Sequence, residues 1–149
     1  MSGDLAAALQ RTLGESIPLA RAMGVRVLEA SGTRVRLGLP LEPNHNHKDT
    51  AFGGSLYSAA VLAGWSLLWC GLRERGVEAH VVIASSAERF RAPAEGDFIS
   101  ECAAEPGVLD AALGALKRKG RARVRLACAV SAGGTACLEF DGVYGLLAG

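Results

Sequence analysis

The sequence predicts an α+β domain in which a long central helix is wrapped by a curved antiparallel sheet of about six strands. Three observations carry this. Ala51 to Leu72 is a run of twenty-two residues without a charge, bounded by the polar loop Asn44-His45-Asn46-His47-Lys48-Asp49-Thr50 and by Arg73-Glu74-Arg75-Gly76. Two strand-like segments precede the run and four follow it, separated by Gly- and Pro-bearing turns. No repeat or linker divides the 149 residues, so residues 1–149 are expected to form a single domain.

Leu5 to Leu13 has the pattern of a short amphipathic helix, with Leu5, Leu9 and Leu13 recurring every four residues. Asp4 is its candidate N-cap and Gly14 its candidate stop. A further turn of helix is expected around Ile17 to Met23. Val25–Ala30 and Thr33–Leu39 form a predicted hairpin about Ser31-Gly32, with Val35, Leu37 and Leu39 on one face and Arg34 and Arg36 on the other. After the central helix come a β-rich run, Val81–Phe90, a turn, Arg91–Asp97, and a strand, Phe98–Ala104. Leu109–Lys119 is a loop or short helix. Arg121–Ser131 alternates arginines with apolar residues, and Gly133-Gly134 turns the chain into a last strand, Ala136–Leu147.

Half the residues are apolar (50%) and 21% are charged, the composition of a globular chain. A net charge of +1 supplies no overall field for nucleic acid or an anionic membrane, so neither is an expected partner. Cys70, Cys102, Cys128 and Cys137 lie in apolar runs without Cys-x-x-Cys spacing, which points to buried free thiols in a reducing compartment. The N-terminus shows no basic stretch leading into an apolar one, and a cytoplasmic location is expected.

Some twenty uncharged residues would be long enough to cross a bilayer. Gly53, Gly54, Ser55, Ser58, Gly64 and Ser66 dilute the hydrophobicity, however, and the flanking segments are amphipathic strands that lipid does not accommodate. The expected alternative is a core helix apolar on nearly all sides, with Gly53, Ala59, Ala60, Ala63 and Gly64 letting the sheet curl closely around it.

The string Asn46-His47-Lys48-Asp49-Thr50-Ala51-Phe52-Gly53-Gly54-Ser55-Leu56-Tyr57, with Ala63-Gly64-Trp65 beyond it, resembles the opening of the central helix in the thioesterase domain of the YiiD C-terminal type. Arg89-Phe90-Arg91-Ala92-Pro93-Ala94-Glu95-Gly96-Asp97 is similar to the strand and Pro-x-x-Gly-Asp turn that follow that helix in many proteins of the hotdog superfamily. The resemblance implies a hotdog fold, hydrolysis of an acyl thioester of coenzyme A or an acyl-carrier protein, and a homodimer or dimer of dimers with the site at the subunit interface. It implies no cofactor.

Thioester hydrolysis needs donors for the carbonyl oxygen and a group that activates water or attacks directly. A helix start offers free N–H groups and the positive end of the dipole, and glycines there allow close approach. Gly53 and Gly54 therefore suit an oxyanion site, although they equally suit tight packing of helix on sheet. Phe52 and Ser55 flank them and are placed with the substrate. In the related branch with a His-Gly-Gly start, a carboxylate lies seven residues after the second glycine, and that position is Val61 here. No Asp or Glu occurs between Asp49 and Glu74. The acid–base or nucleophilic role then falls to the loop: Asp49 as base or nucleophile, Asn46 holding water or the carbonyl, His47 as a base near neutral pH. Asp49 is also a candidate helix-capping acid and Asn46 a candidate loop-closing residue. Ser85 and Ser86 interrupt an apolar strand, and one of them must face the interior. His45, His47 and Asp49 alternate like ligands, but with no second cluster no metal site is expected. The missing helix carboxylate also leaves open a non-catalytic acyl-thioester binder. A hydratase lacks its Asp-x-x-x-x-His pair.

Lys117, Arg118, Lys119, Arg121, Arg123 and Arg125 place six cations in nine residues. They suit a solvated face or contact with coenzyme A phosphates or an acidic carrier protein. The run lacks the interleaved aromatics of a nucleic-acid surface.

Overall fold

A computed structural model describes residues 2–149. The elements run α1 (Ser2–Ser16), α2 (Pro18–Met23), β1 (Arg26–Ala30), β2 (Arg34–Leu39), α3 (Gly53–Glu74), β3 (Ala79–Phe90), β4 (Phe98–Ala103), α4 (Val108–Lys119), β5 (Arg121–Ala132) and β6 (Thr135–Ala148). All six strands join one antiparallel sheet in the order β1-β2-β4-β5-β6-β3. This is the hotdog architecture, with the uncharged run as a single helix packed against the sheet.

Several boundaries differ from the sequence reading: α1 already begins at Ser2, so Asp4 lies in its first turn, where it complements the helix dipole, and is not its N-cap. The first helix passes through Gly14 and ends at Ser16, and Pro18 then opens α2 at a position where a missing N–H does no harm. Gly24, with φ of 73°, closes α2. Leu109–Lys119, expected as a loop or short helix, lies in the twelve-residue helix α4, held between left-handed glycines at 107 and 120. Lys117, Arg118 and Lys119 fall in its last turn, where cations complement the negative end of the helix dipole.

Burial along β5 alternates at every step from Arg121 to Val130. Its arginines point outward, while Ala122, Val124, Leu126, Cys128 and Val130 point inward. The inner surface so formed meets Leu56, Ala59, Ala60, Ala63 and Leu67 of α3, all buried. The most apolar stretch of α3 has a mean hydropathy of 1.4 and is 67% buried inside the fold, as a core helix is. Helix and sheet come closest at Gly64, where an added Cβ would overlap the hydroxyl and ring of the fully buried Tyr144. That hydroxyl donates to the Val61 carbonyl at 2.7 Å, and burial pushes the phenol pKa up. At the far end of α3 the Glu74 carboxylate accepts from Gly32 N–H at 2.9 Å, tying the β1–β2 hairpin to the helix.

All four cysteines are free and buried. Burial, with Glu74 nearby, pushes the Cys70 thiol up to about 12. The Cys128 thiol, hydrogen-bonded to the Cys102 thiol directly across the β4–β5 ladder and likewise buried, is also pushed up. Both therefore stay protonated near neutral pH.

Gly64→Ala is expected to lower unfolding stability by about 2 kcal/mol through overpacking against Tyr144, despite the better helix propensity of alanine. Urea denaturation followed by circular dichroism measures the loss.

Candidate functional site

The chain reaches α3 through a closed loop built by side-chain amides. Asn44 is buried, and its Nδ2 donates to Met23 O at 2.9 Å and Pro40 O at 2.8 Å. Its own carbonyl accepts the Phe52 N–H at 2.7 Å, which sets the entry to the helix. Asn46 closes the next turn: Oδ1 accepts from Lys48 N at 2.8 Å and Thr50 N at 3.2 Å, and Nδ2 donates to Thr50 Oγ1 at 2.9 Å. The Asn46 side chain is thus committed to its own loop, in the manner of an Asx turn. Asp49 sits at the tip in the left-handed region, with φ of 61° and a side chain 93% exposed, 3.8 Å from His45 Nδ1. His47 is exposed beside it. Ala51 N–H is tethered to Ala94 O at 2.9 Å, while Asp97 of the Pro-x-x-Gly-Asp turn accepts the Leu41 N–H at 2.9 Å. That turn therefore braces the loop.

α3 itself begins without a side-chain cap, since its N-cap residue is Phe52. Phe52 O accepts from Ser55 and Leu56, and among the described residues the N–H groups of Gly53 and Gly54 have no partner. Two aromatic rings flank them. Phe52 folds across Gly54, where a Cβ would collide with it, and a Cβ at Gly53 would sit 3.5 Å from Phe90 Cε1. Both phenylalanines are 58% exposed and so line an accessible entrance.

The other wall is β3, an edge strand with β6 as its single neighbour. The register shift between Ile83 and Ser85 decides which serine turns inward. Ser85 is exposed, whereas Ser86 Oγ lies 3.3 Å from Tyr57 OH of α3 and donates to Glu88 Oε1. Glu88 pairs with Phe140, which is buried, so its side chain shares that inner face. Further along, Trp65 Nε1 donates to Val81 O at 3.2 Å.

The structure thus brings together Phe52, Gly53, Gly54 and Ser86. It leaves Asp49 and His47 at the solvent-facing loop tip and Ser85 on the exposed side of the bulge. Ser55 is half-buried in the first turn of α3. Sequence reasoning missed Tyr57 and Glu88. The signal was available in spacing alone: Gly53 and Tyr57 share a helix face at i, i+4, and Ser86, Glu88 and Phe90 share a strand face at period two. Among the described residues no group of three His, Cys, Asp or Glu side chains is arranged to hold a metal ion.

A family model described as putative thioesterase (yiiD_Cterm) matches residues 6–148. Among solved structures, a protein of unknown function from Chlorobaculum tepidum TLS is 28% identical, with a TM-score of 0.94 over 99% of this chain and 97% of that one. The putative thioesterase from Shewanella oneidensis is 26% identical, with a TM-score of 0.88 over 99% of each chain. A probable thioesterase from Pseudomonas aeruginosa shares the fold at 22% identity, with a TM-score of 0.84 over 96% of this chain and 95% of that one.

If Asn46 acts as the loop's internal brace, Asn46→Ala lowers stability by about 1–2 kcal/mol through the donors and acceptors it orphans. Thermal unfolding of that variant beside Asp49→Asn, which loses no such bonds and suits the left-handed backbone at that position, makes the comparison.

Proposed function

This chain belongs to the putative thioesterase family whose model spans it, and on that premise we propose that it hydrolyses an acyl thioester of coenzyme A or an acyl-carrier protein. The observation that carries the reading is the uncapped start of α3. Two adjacent glycine N–H groups are unpaired among the described residues, at the positive end of a twenty-two-residue helix, between two exposed aromatic rings. Donors of that kind stabilise the oxyanion that forms when a thioester carbonyl is attacked, and they do so without reorganising. Phe52 and Phe90 give the acyl group an apolar approach. Ser55, half-buried in the first turn of α3, and Ser86 on β3 offer hydroxyls on the two walls beside this entrance, while Asn46, His47 and Asp49 belong to the loop that precedes it. The outward arginines of β5, none of them in an ion pair among the described residues, supply the charge that an anionic thiol carrier would meet.

The assembly is a homodimer, alone or as a dimer of dimers. β3 is twelve residues long, has an unpaired edge, and exposes Val82, Ile83 and Phe90, a combination that invites pairing with a second copy. Such pairing would bring a partner's β3 beside the site. Buried free thiols accord with a reducing cytoplasm.

The absence of any carboxylate within α3 before Glu74 favours a second reading, a domain that binds acyl thioesters without turnover. Steady-state hydrolysis of an acyl-CoA panel separates the two, because a binder retains affinity and shows no turnover.

Gly53→Pro is the sharpest variant. Phe52 already has the extended backbone that a following proline requires, with φ −60° and ψ 135°, and proline is tolerated in a first helical turn. The substitution deletes one donor and leaves the fold, so kcat is expected to fall by about 100-fold with the unfolding midpoint held. Asp49→Asn, at the loop tip, is expected to retain activity; its loss in that variant would return the chemistry to the loop. Light scattering is expected to give a dimer or tetramer, and a strict monomer would contradict a shared site.

A further inference from the structure

We propose that Glu88 is the general base of this site, a carboxylate delivered by the edge strand β3 in place of one on the helix, with Ser86 and Tyr57 as its positioning residues. The inference rests on the hydrolase reading above and adds the group that reading lacks.

Two contacts fix how β3 lies along α3. Phe90 packs on Gly53, and Ser86 meets Tyr57 one helical turn further in. Glu88 falls between them on the same face of the strand, because strand residues two apart share a face. Glu88 thus stands on the strand between the hydroxyl pair, to which its carboxylate is bonded, and the residue that packs against the helix start. Ser86 Oγ donates to Glu88 Oε1, which leaves Ser86 able to accept from Tyr57 OH, 3.3 Å away. The chain phenol to hydroxyl to carboxylate engages one oxygen of Glu88 and leaves Oε2 for water. No cation is placed to neutralise Glu88 in an ion pair among the described residues, since Arg91 pairs with Glu139 on the outer face. An inner-face carboxylate bonded to the Ser86 hydroxyl and not to an arginine keeps its second oxygen open to a water.

The step balances without a redox partner. Water attacks the thioester carbonyl carbon as Glu88 takes one of its protons, and the oxyanion is held by Gly53 and Gly54 N–H. Collapse breaks the C–S bond, and the proton on Glu88 passes to the departing sulfur. The products are a carboxylic acid and a free thiol, with Glu88 again ionised.

The test is steady-state hydrolysis of acyl-CoAs from acetyl to palmitoyl by the full chain and its variants, each first shown to be folded by circular dichroism. Glu88→Gln is expected to lower kcat by about 100-fold or more while leaving KM nearly unchanged. Glu88→Ala is expected to recover part of its rate when formate, a small external carboxylate, is added. Ser86→Ala is expected to lower kcat about tenfold, with Ser86→Thr restoring most of it, as a hydroxyl that orients the base requires. Turnover in Glu88→Gln equal to that of the unaltered chain would overturn the assignment and leave the hydrolase reading standing. An unaltered chain that binds acyl-CoA and turns over none of the panel would overturn both.

Discussion

Enclosure of α3 by the sheet is the constraint on which the other features depend. A helix whose inner half faces all six strands cannot carry an ionised group there, because removing a lone charge from water is far more costly than any local contact repays. The sequence obeys over the whole enclosed length. Charge appears again at the exit, where Arg73 lies over the Trp69 ring, Glu74 bonds the β1–β2 hairpin, and Arg75 reaches Asp110 of α4 at 3.1 Å. The same closeness selects the small residues, since the sheet at Tyr144 leaves no room for a Cβ on residue 64.

The entrance to the helix shows the other consequence. A serine or aspartate cap would stabilise α3 by roughly 1 kcal/mol, yet Phe52 occupies that position and, among the described residues, two N–H groups stay open. Stability forgone at a helix start, beside glycines and exposed aromatic rings, is what a site for a developing negative charge requires. Because the helix excludes carboxylates, any acid or base must come from a neighbouring element. β3 can supply one, since as an edge strand it has no fully buried residue and its inner-face Glu88 is only half-buried.

The polar loop before α3 illustrates how far residue type alone carries. Asn46, His47 and Asp49 have the chemistry of a reactive cluster, and their spacing was as legible as the helix. What that spacing does not encode is where each hydrogen bond goes. Asn44 and Asn46 are tied to main-chain groups and to Thr50, and Asp97 closes onto Leu41, so these side chains shape the loop. The serines of β3 show the same limit. Alternation requires one of two adjacent residues to face inward, but a bulge between Ile83 and Ser85 determines which.

The sequence by itself determined the fold class, the extent of the buried helix to within two residues at either end, the alternation of β5 and the family resemblance. The first three rest on periodicity and charge, which are properties of neighbours along the chain, and the resemblance rests on the Asn46–Tyr57 and Arg89–Asp97 strings. It also placed the glycines at a helix start. Tertiary structure alone decided which side chains converge there. Tyr57 and Ser86 are twenty-nine residues apart in the chain and meet, with Glu88 bonded to Ser86, only because β3 folds back along α3, and that return is set by strand order and register. α4 was likewise left open, since a pattern of leucine and alanine ending in cations suits a loop or a helix until Leu109 finds Gly71 to pack upon.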